Sequence, residues 1–259
     1  MNGSREVALV TGGGRGIGAA TARELGRRGY HVVINFRSNA DAARAVALDI
    51  AAAGATAECV QADVCDHDQV ERMVDTVLAD RGHIDVLVCN ANTVAPPFAP
   101  FASLAWKDFI DKVSGELAGA FFVTQHVLAA MRRHGGGRIV YVSSTAADYV
   151  GPGRLAHSTA KSALNTFSRH VAAEAAVYGV TVNTIAPGGV RTEATAAVLT
   201  PEREKHLEDH SILGRVLEPE DIAVVIAQTV DAGMRGVTGA LIRIDAGFGV
   251  LVGGPSSST

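Results

Sequence analysis

Thr11-Gly12-Gly13-Gly14-Arg15-Gly16-Ile17-Gly18 is the stretch on which the fold turns. It follows an apolar run, Val7-Ala8-Leu9-Val10, and precedes a segment of helical period over 19–28. Glycines clustered between a strand and a helix cost backbone entropy and return no packing. What they offer is bare backbone N–H at the positive end of a helix, where a pyrophosphate can approach without side-chain obstruction. The loop therefore predicts dinucleotide binding at Gly12, Arg15, Gly16, Ile17 and Gly18.

Outward from the loop, short apolar runs at 32–35, 57–61, 84–89, 138–143 and 180–185 alternate with helical periods at 42–53, 70–81, 117–133 and 158–178. Pro219-Glu220-Asp221 then opens a helix with acidic first-turn residues, and Leu241-Ile242-Arg243-Ile244 forms a last strand. Unbroken apolar runs belong to strands buried on both faces. The expected fold is α/β: a doubly wound, Rossmann-type parallel sheet of about seven strands with helices on both faces. One domain is expected over 1–252. Within it a polar, helix-forming excursion at about 191–215 reads as a substrate lid, and 253–259 reads as a flexible Gly/Ser tail.

Composition narrows the function. The chain has 259 residues, 47% of them hydrophobic and 19% charged, too apolar for disorder. No run reaches the roughly 18 apolar residues of a membrane helix, so no membrane is expected. A net charge of −4 without a basic block excludes a nucleic-acid footprint. The first residues carry no long apolar stretch, and no export signal is expected. Cys59, Cys65 and Cys89 form no C-x-x-C pair, which argues against a disulfide framework or a metal site and for a reducing, cytoplasmic setting.

The glycine loop, in the form T-G-x-x-x-G-x-G, resembles that of the short-chain dehydrogenase/reductase family, and the likeness covers nearly the whole chain. Asp63-Val64 resembles the pair that contacts adenine, and Cys89-Asn90-Ala91-Asn92 stands where the family has N-N-A-G. Pro187, Gly188, Val190 and Thr192 resemble the nicotinamide-side segment, and Asp245-Ala246-Gly247 the terminal D-G-G. The resemblance implies cofactor contacts at Asp63, Val64, Asn90, Pro187, Gly188, Val190 and Thr192. It also implies a homodimer or homotetramer built on the long helices and the last strand.

An acidic residue roughly 20 residues beyond the glycines would bind a ribose 2′-hydroxyl and repel a 2′-phosphate. The second strand instead ends Ile34-Asn35-Phe36-Arg37. Arg15 and Arg37 are suited to grip a phosphate, so the expected cofactor is NADP(H).

In the family a Ser, a Tyr and a Lys carry carbonyl reduction, the last two as Y-x-x-x-K. Here the segment reads His157-Ser158-Thr159-Ala160-Lys161, with Ser144 thirteen residues before His157. Position and spacing match, but the proton donor is His. Residues four apart share a helix face, which aims His157 and Lys161 at one site. Lys161 is one of four lysines against nineteen arginines, a poor fit to generic surface charge. Glu116 stands where the resemblance implies a catalytic Asn: it either offsets Lys161 and keeps His157 protonated, or is a salt-bridge partner. Tyr149 lies off the spacing and is a minor alternative acid.

Two things follow for the chemistry. Hydride addition to a simple ketone leaves an alkoxide and needs an acid, whereas a quinone or conjugated enone yields a stable phenolate or enolate. The replacements favour an NADP(H)-dependent reductase of an activated quinone, enone or polycyclic ketone. Alternatives are a non-redox lyase or isomerase using Glu116 and His157 as a base and acid pair, and a catalytically decayed NADP(H)-binding protein.

Overall fold

The strands alternate their side chains between two cores, and the sequence shows the period of two directly. Ala8, Val10, Val32, Ile34, Val86, Val88, Val140 and Val142 face one cluster. Their neighbours Val7, Leu9, Val33, Leu87, Ile139 and Tyr141 face the other. The computed structural model describes residues 5–196 and 198–250. The expected tail at 253–259 lies outside them.

Seven strands form one parallel sheet: β1 (Val7–Val10), β2 (His31–Phe36), β3 (Thr56–Gln61), β4 (Val86–Cys89), β5 (Gly137–Val142), β6 (Val180–Pro187) and β7 (Leu241–Ile244). Their order is β3-β2-β1-β4-β5-β6-β7. The helices are α1 (Gly16–Arg27), α2 (Ala40–Ala52), α3 (His67–Arg81), α4 (Trp106–His134), α5 (Leu155–Ala175), α6 (Pro201–Asp209) and α7 (Pro219–Thr229). Leu25 of α1, Val46 and Ile50 of α2 and Ile222 and Ile226 of α7 pack on the first face. Val74 of α3, Val127 and Met131 of α4 and Leu164 of α5 pack on the second. Each fully buried Leu, Ile or Val contributes about 1.5–3 kcal/mol, so the two layers lock the sheet from both sides. Because β1 lies between β2 and β4, the chain reverses direction across the sheet there, and a crevice opens beyond the carboxyl ends of those strands.

The first five helices begin earlier than periodicity predicts, and for two of them this bears on the site. α4 starts at Trp106, not near 117, because its first turns are partly exposed and carry polar residues between the apolar ones. α5 starts at Leu155, which puts His157 in its first turn. The Ala-rich segment at 172–176 turns Ala172 and Ala175 into the chain's own core. No described helix is long and apolar enough to cross a membrane.

Candidate active site

A cleft of about 370 Å³ opens at the carboxyl ends of the strands. Its floor is the glycine loop. Gly12 (φ +62°) and Gly16 (φ +51°) take left-handed backbone, and a Cβ at Gly16 would stand 3.5 Å from the Thr192 side chain across the cleft. The loop is held from two strands. Asn35 Oδ1 accepts from Gly12 N at 3.3 Å, while the Asn35 amide donates to Ala62 O at 3.0 Å. Asn90 Nδ2 donates to Thr11 O and Gly12 O at 3.0 and 3.2 Å, and Thr11 Oγ1 accepts from Asn90 N at 2.9 Å.

Arg15 caps α1 without a side-chain hydrogen bond to the helix, so the first N–H groups of α1 remain available to an anion. Arg37 is exposed at the end of β2 and donates through Nη1 to Thr93 O at 3.1 Å. Its other donors are uncommitted among the described residues. Asp63 Oδ1 accepts from Cys65 N at 2.9 Å. Of the residues expected to hold a cofactor, Gly12, Arg15, Gly16, Ile17, Arg37, Asp63, Val64, Asn90, Lys161, Pro187, Gly188, Val190 and Thr192 all line this cleft.

Gly18 does not. A Cβ there would lie 2.3 Å from Gly12 O and 2.5 Å from Asn90 Nδ2, so this glycine lets α1 pack beneath the loop and touches no ligand space.

Ser144, His157 and Lys161 converge on the other end of the cleft. Ser144 ends β5's extension, where its Oγ accepts from Ala146 N at 3.1 Å and keeps its own proton free to donate. His157 and Lys161 share one face of α5, as the spacing predicts. The His157 ring meets Phe98 edge-on, with centroids 6.4 Å apart. Its Nδ1 is buried and without a hydrogen-bond partner among the described residues.

Of the two readings of Glu116, the geometry is that of the salt-bridge partner. It is buried behind Lys161 and does not line the cleft. Lys161 Nζ donates to Glu116 Oε1 at 2.5 Å and to Val142 O at 2.9 Å. Glu116 Oε2 accepts from Lys112 Nζ at 2.7 Å. Burial alone would raise the Glu116 carboxyl, but Lys161 and Lys112 outweigh it and hold the group down to about 2. An ionised carboxylate with both oxygens engaged is no general base for the cleft.

Nor does Glu116 keep His157 protonated. Burial, then Lys161 and Lys112, depress the imidazole to about 4, against a smaller opposing pull from Glu116. His157 is neutral at physiological pH. Tyr149 also lies elsewhere: its hydroxyl donates to Phe248 O at 2.8 Å, beneath Arg243. Among nearby aromatics Phe98 meets His157, whereas Phe101 and Trp106 are exposed and do not line the cleft.

Sequence reading missed Lys112, which is 0% exposed. The signal was present as the four-residue spacing from Lys112 to Glu116, hidden because α4 was expected to begin after both. It also missed Thr93, the acceptor that tethers Arg37.

The cleft fits a dinucleotide. A side chain at Gly16 would fill the cradle, α1 presents an uncapped positive end, and two guanidinium groups flank it. The chain belongs to the short-chain dehydrogenase family, whose model, described as short chain dehydrogenase, matches residues 6–203. It is 36% identical over 255 residues to the hydroxynaphthalene reductase-like protein Arp2 of Metarhizium robertsii, covering 93% of this chain and 94% of that one. Two solved structures superpose with a TM-score of 0.89 at 29% identity. One is a 7α-hydroxysteroid dehydrogenase complexed with NADH and 7-oxo glycochenodeoxycholic acid, with 94% of each chain covered. The other is a gluconate 5-dehydrogenase from Burkholderia cenocepacia in complex with NADP and tartrate, with 95% of this chain and 96% of that one covered. The protein is thus an oxidoreductase of the nicotinamide-dependent kind.

Proposed function

We propose that this chain is an NADP(H)-dependent reductase of an activated carbonyl, a quinone, enone or polycyclic ketone of polyketide type. The observation that carries the reading is His157 in the position of the family's proton donor, four residues before Lys161 and lining the same cleft. When bound, the nicotinamide supplies a hydride to the carbonyl carbon. Ser144 Oγ donates a hydrogen bond to the carbonyl oxygen. The Nε2–H tautomer of His157 adds a second, since a neutral imidazole carries one proton and Nδ1 is the buried nitrogen.

Such a pair stabilises developing negative charge but is a weak acid. A ketone would leave an alkoxide in want of a proton; a quinone or enone leaves a phenolate or enolate, and phenols titrate near about 10. The products of activated carbonyls therefore survive until water protonates them. Phe98, half-exposed against His157, offers an aromatic edge to a flat substrate. The hydroxynaphthalene reductase-like relative supports the same substrate class.

NADP(H) is favoured because β2 ends in Arg37 with no carboxylate beside it, and Arg15 stands across the loop. Lys161 has one proton left after Glu116 and Val142 O, and it serves a ribose hydroxyl. The segment 191–215 acts as lid to a single domain: Arg191 N donates to Leu217 O at 2.8 Å, so the excursion leaves and returns at one point. The assembly is a homodimer or homotetramer.

The test is NADPH oxidation followed by absorbance, with polycyclic quinones beside aliphatic ketones, from about pH 5.5 to 8, around the reference His value. Turnover of quinones with little of ketones is expected. Equal or better turnover of aliphatic ketones overturns the substrate class, and NADPH binding without oxidation of it overturns the reductase.

A further inference from the structure

We propose that Lys112 is a positioning residue of this active site, holding Glu116 so that Lys161 turns a single proton to the cleft. The inference rests on the reading of the cleft above for the cofactor, and needs no knowledge of the substrate.

Lys112 is wholly enclosed, and its ammonium has three acceptors for three protons: Asn92 Oδ1 at 2.9 Å, Val94 O at 3.0 Å and Glu116 Oε2 at 2.7 Å. Glu116 gives its other oxygen to Lys161, whose second proton goes to Val142 O. Every partner in the row is thus spent except one proton of Lys161. The row does not recommend itself as a stability device, because a buried ion cluster is commonly matched or bettered by apolar residues of the same volume. Its geometry points to the cleft instead. Asn92 and Thr93 line the cleft, and Thr93 O takes the Arg37 guanidinium. Two glycines on the same helix bring that loop close: a Cβ at Gly115 would lie 2.8 Å from Val94 Cγ2, and one at Gly119 would lie 2.8 Å from Thr93 Cγ2. Lys112 therefore anchors both ends of the cleft, the Arg37 end through the loop and the Lys161 end through Glu116.

The same row acts on His157. The charged groups facing that ring are Lys161 from α5, Arg154 at its N-cap, and Lys112 and Glu116 from α4; Phe98 on the loop adds none. Two lysines and an arginine against one carboxylate leave a net positive charge beside the imidazole. Removing Lys112 leaves Glu116 to offset Lys161 alone, and the imidazole then takes up a proton more readily. Lys112 itself faces Glu116, Lys161 and the Cys65 thiol.

The experiment compares K112M, E116Q and K112M/E116Q with the parent, reading the His157 titration by imidazole NMR, NADPH affinity by fluorescence, and folding by circular dichroism. K112M is expected to raise the His157 midpoint by about one pH unit or more. E116Q, which leaves two ammoniums on one neutral amide, is expected to weaken NADPH roughly tenfold or more, and the double variant to recover part of that loss. A His157 midpoint unmoved in folded K112M overturns the proposal, as does a double variant no better than folded E116Q. Should E116Q not fold, the K112M titration decides alone. Because the titration requires neither cofactor nor turnover, failure of the reductase reading would appear separately, as absent NADPH oxidation in the parent.

Discussion

Lys161 Nζ stands 2.5 Å from Glu116 Oε1, on the side of the ammonium turned away from the cleft. The carboxylate that the resemblance equates with a catalytic group is therefore behind the lysine. This arrangement makes Lys161 the last member of a buried row and the only one that lines the ligand space.

Replacing Lys161 with Met should separate binding from folding. Glu116 keeps Lys112, so the core retains a paired charge. The variant is expected to fold and to bind NADPH at least about tenfold more weakly, as when one hydrogen-bonded charge is lost from a polar site. Fluorescence titration reads the affinity and circular dichroism the fold; an unchanged affinity would mean that Lys161 does not touch the cofactor.

His157 should make the protein acid-sensitive in a defined window. Its folded value of about 4 lies below the ordinary 6.5, so between those pH values the unfolded chain holds a proton that the folded one does not. Stability therefore rises with pH through the window, is fully present above about 6.5, and is lost as pH falls toward 4. The contribution is at most about 3 kcal/mol. In His157→Phe the fall in urea midpoint between pH 6.5 and 4 should shrink. An equal fall in both proteins would show that His157 titrates near its ordinary value.

A phenol extends roughly two bond lengths further than an imidazole. His157→Tyr, in the first turn of α5 beside Lys161, is expected to raise turnover of aliphatic ketones by about 100-fold or more, the usual contribution of a positioned acid. Quinone turnover should change far less. Steady-state kcat/KM on both classes checks this, and a ketone rate no higher than the parent's would locate the substrate limit elsewhere.

The glycine loop, the apolar runs and the four-residue step from His157 to Lys161 were all legible in the sequence, because each is a local pattern with a single geometric solution. The direction of Glu116 was not. A carboxylate near two lysines reads equally as an acid–base group or as a salt bridge, and only the earlier start of α4 put Lys112 one turn below it. The motif marks where glycine is required without saying why, and at Gly18 the requirement is the 2.3 Å approach of Gly12 O. The charge on His157 depends on burial and on the summed field of groups from two helices, which no spacing encodes.

If the cofactor is NADP(H), as proposed above, Arg37 should be the residue that selects it. Its Nη1 is held by Thr93 O, which fixes the guanidinium across the end of β2 while its remaining donors stay free for a phosphate. With no carboxylate paired to it among the described residues, the guanidinium would attract a 2′-phosphate. Arg37→Glu reverses that preference, since a carboxylate accepts from the ribose 2′-hydroxyl and repels the phosphate. The variant is expected to raise KM for NADPH at least about tenfold and to lower it for NADH, with kcat little altered because the nicotinamide end is untouched. Arg37→Met, which removes the attraction without adding repulsion, should fall between. Steady-state kinetics with both cofactors ranks the three proteins, and a parent enzyme that already uses NADH as well as NADPH would show that Arg37 is a tether for the loop and no more.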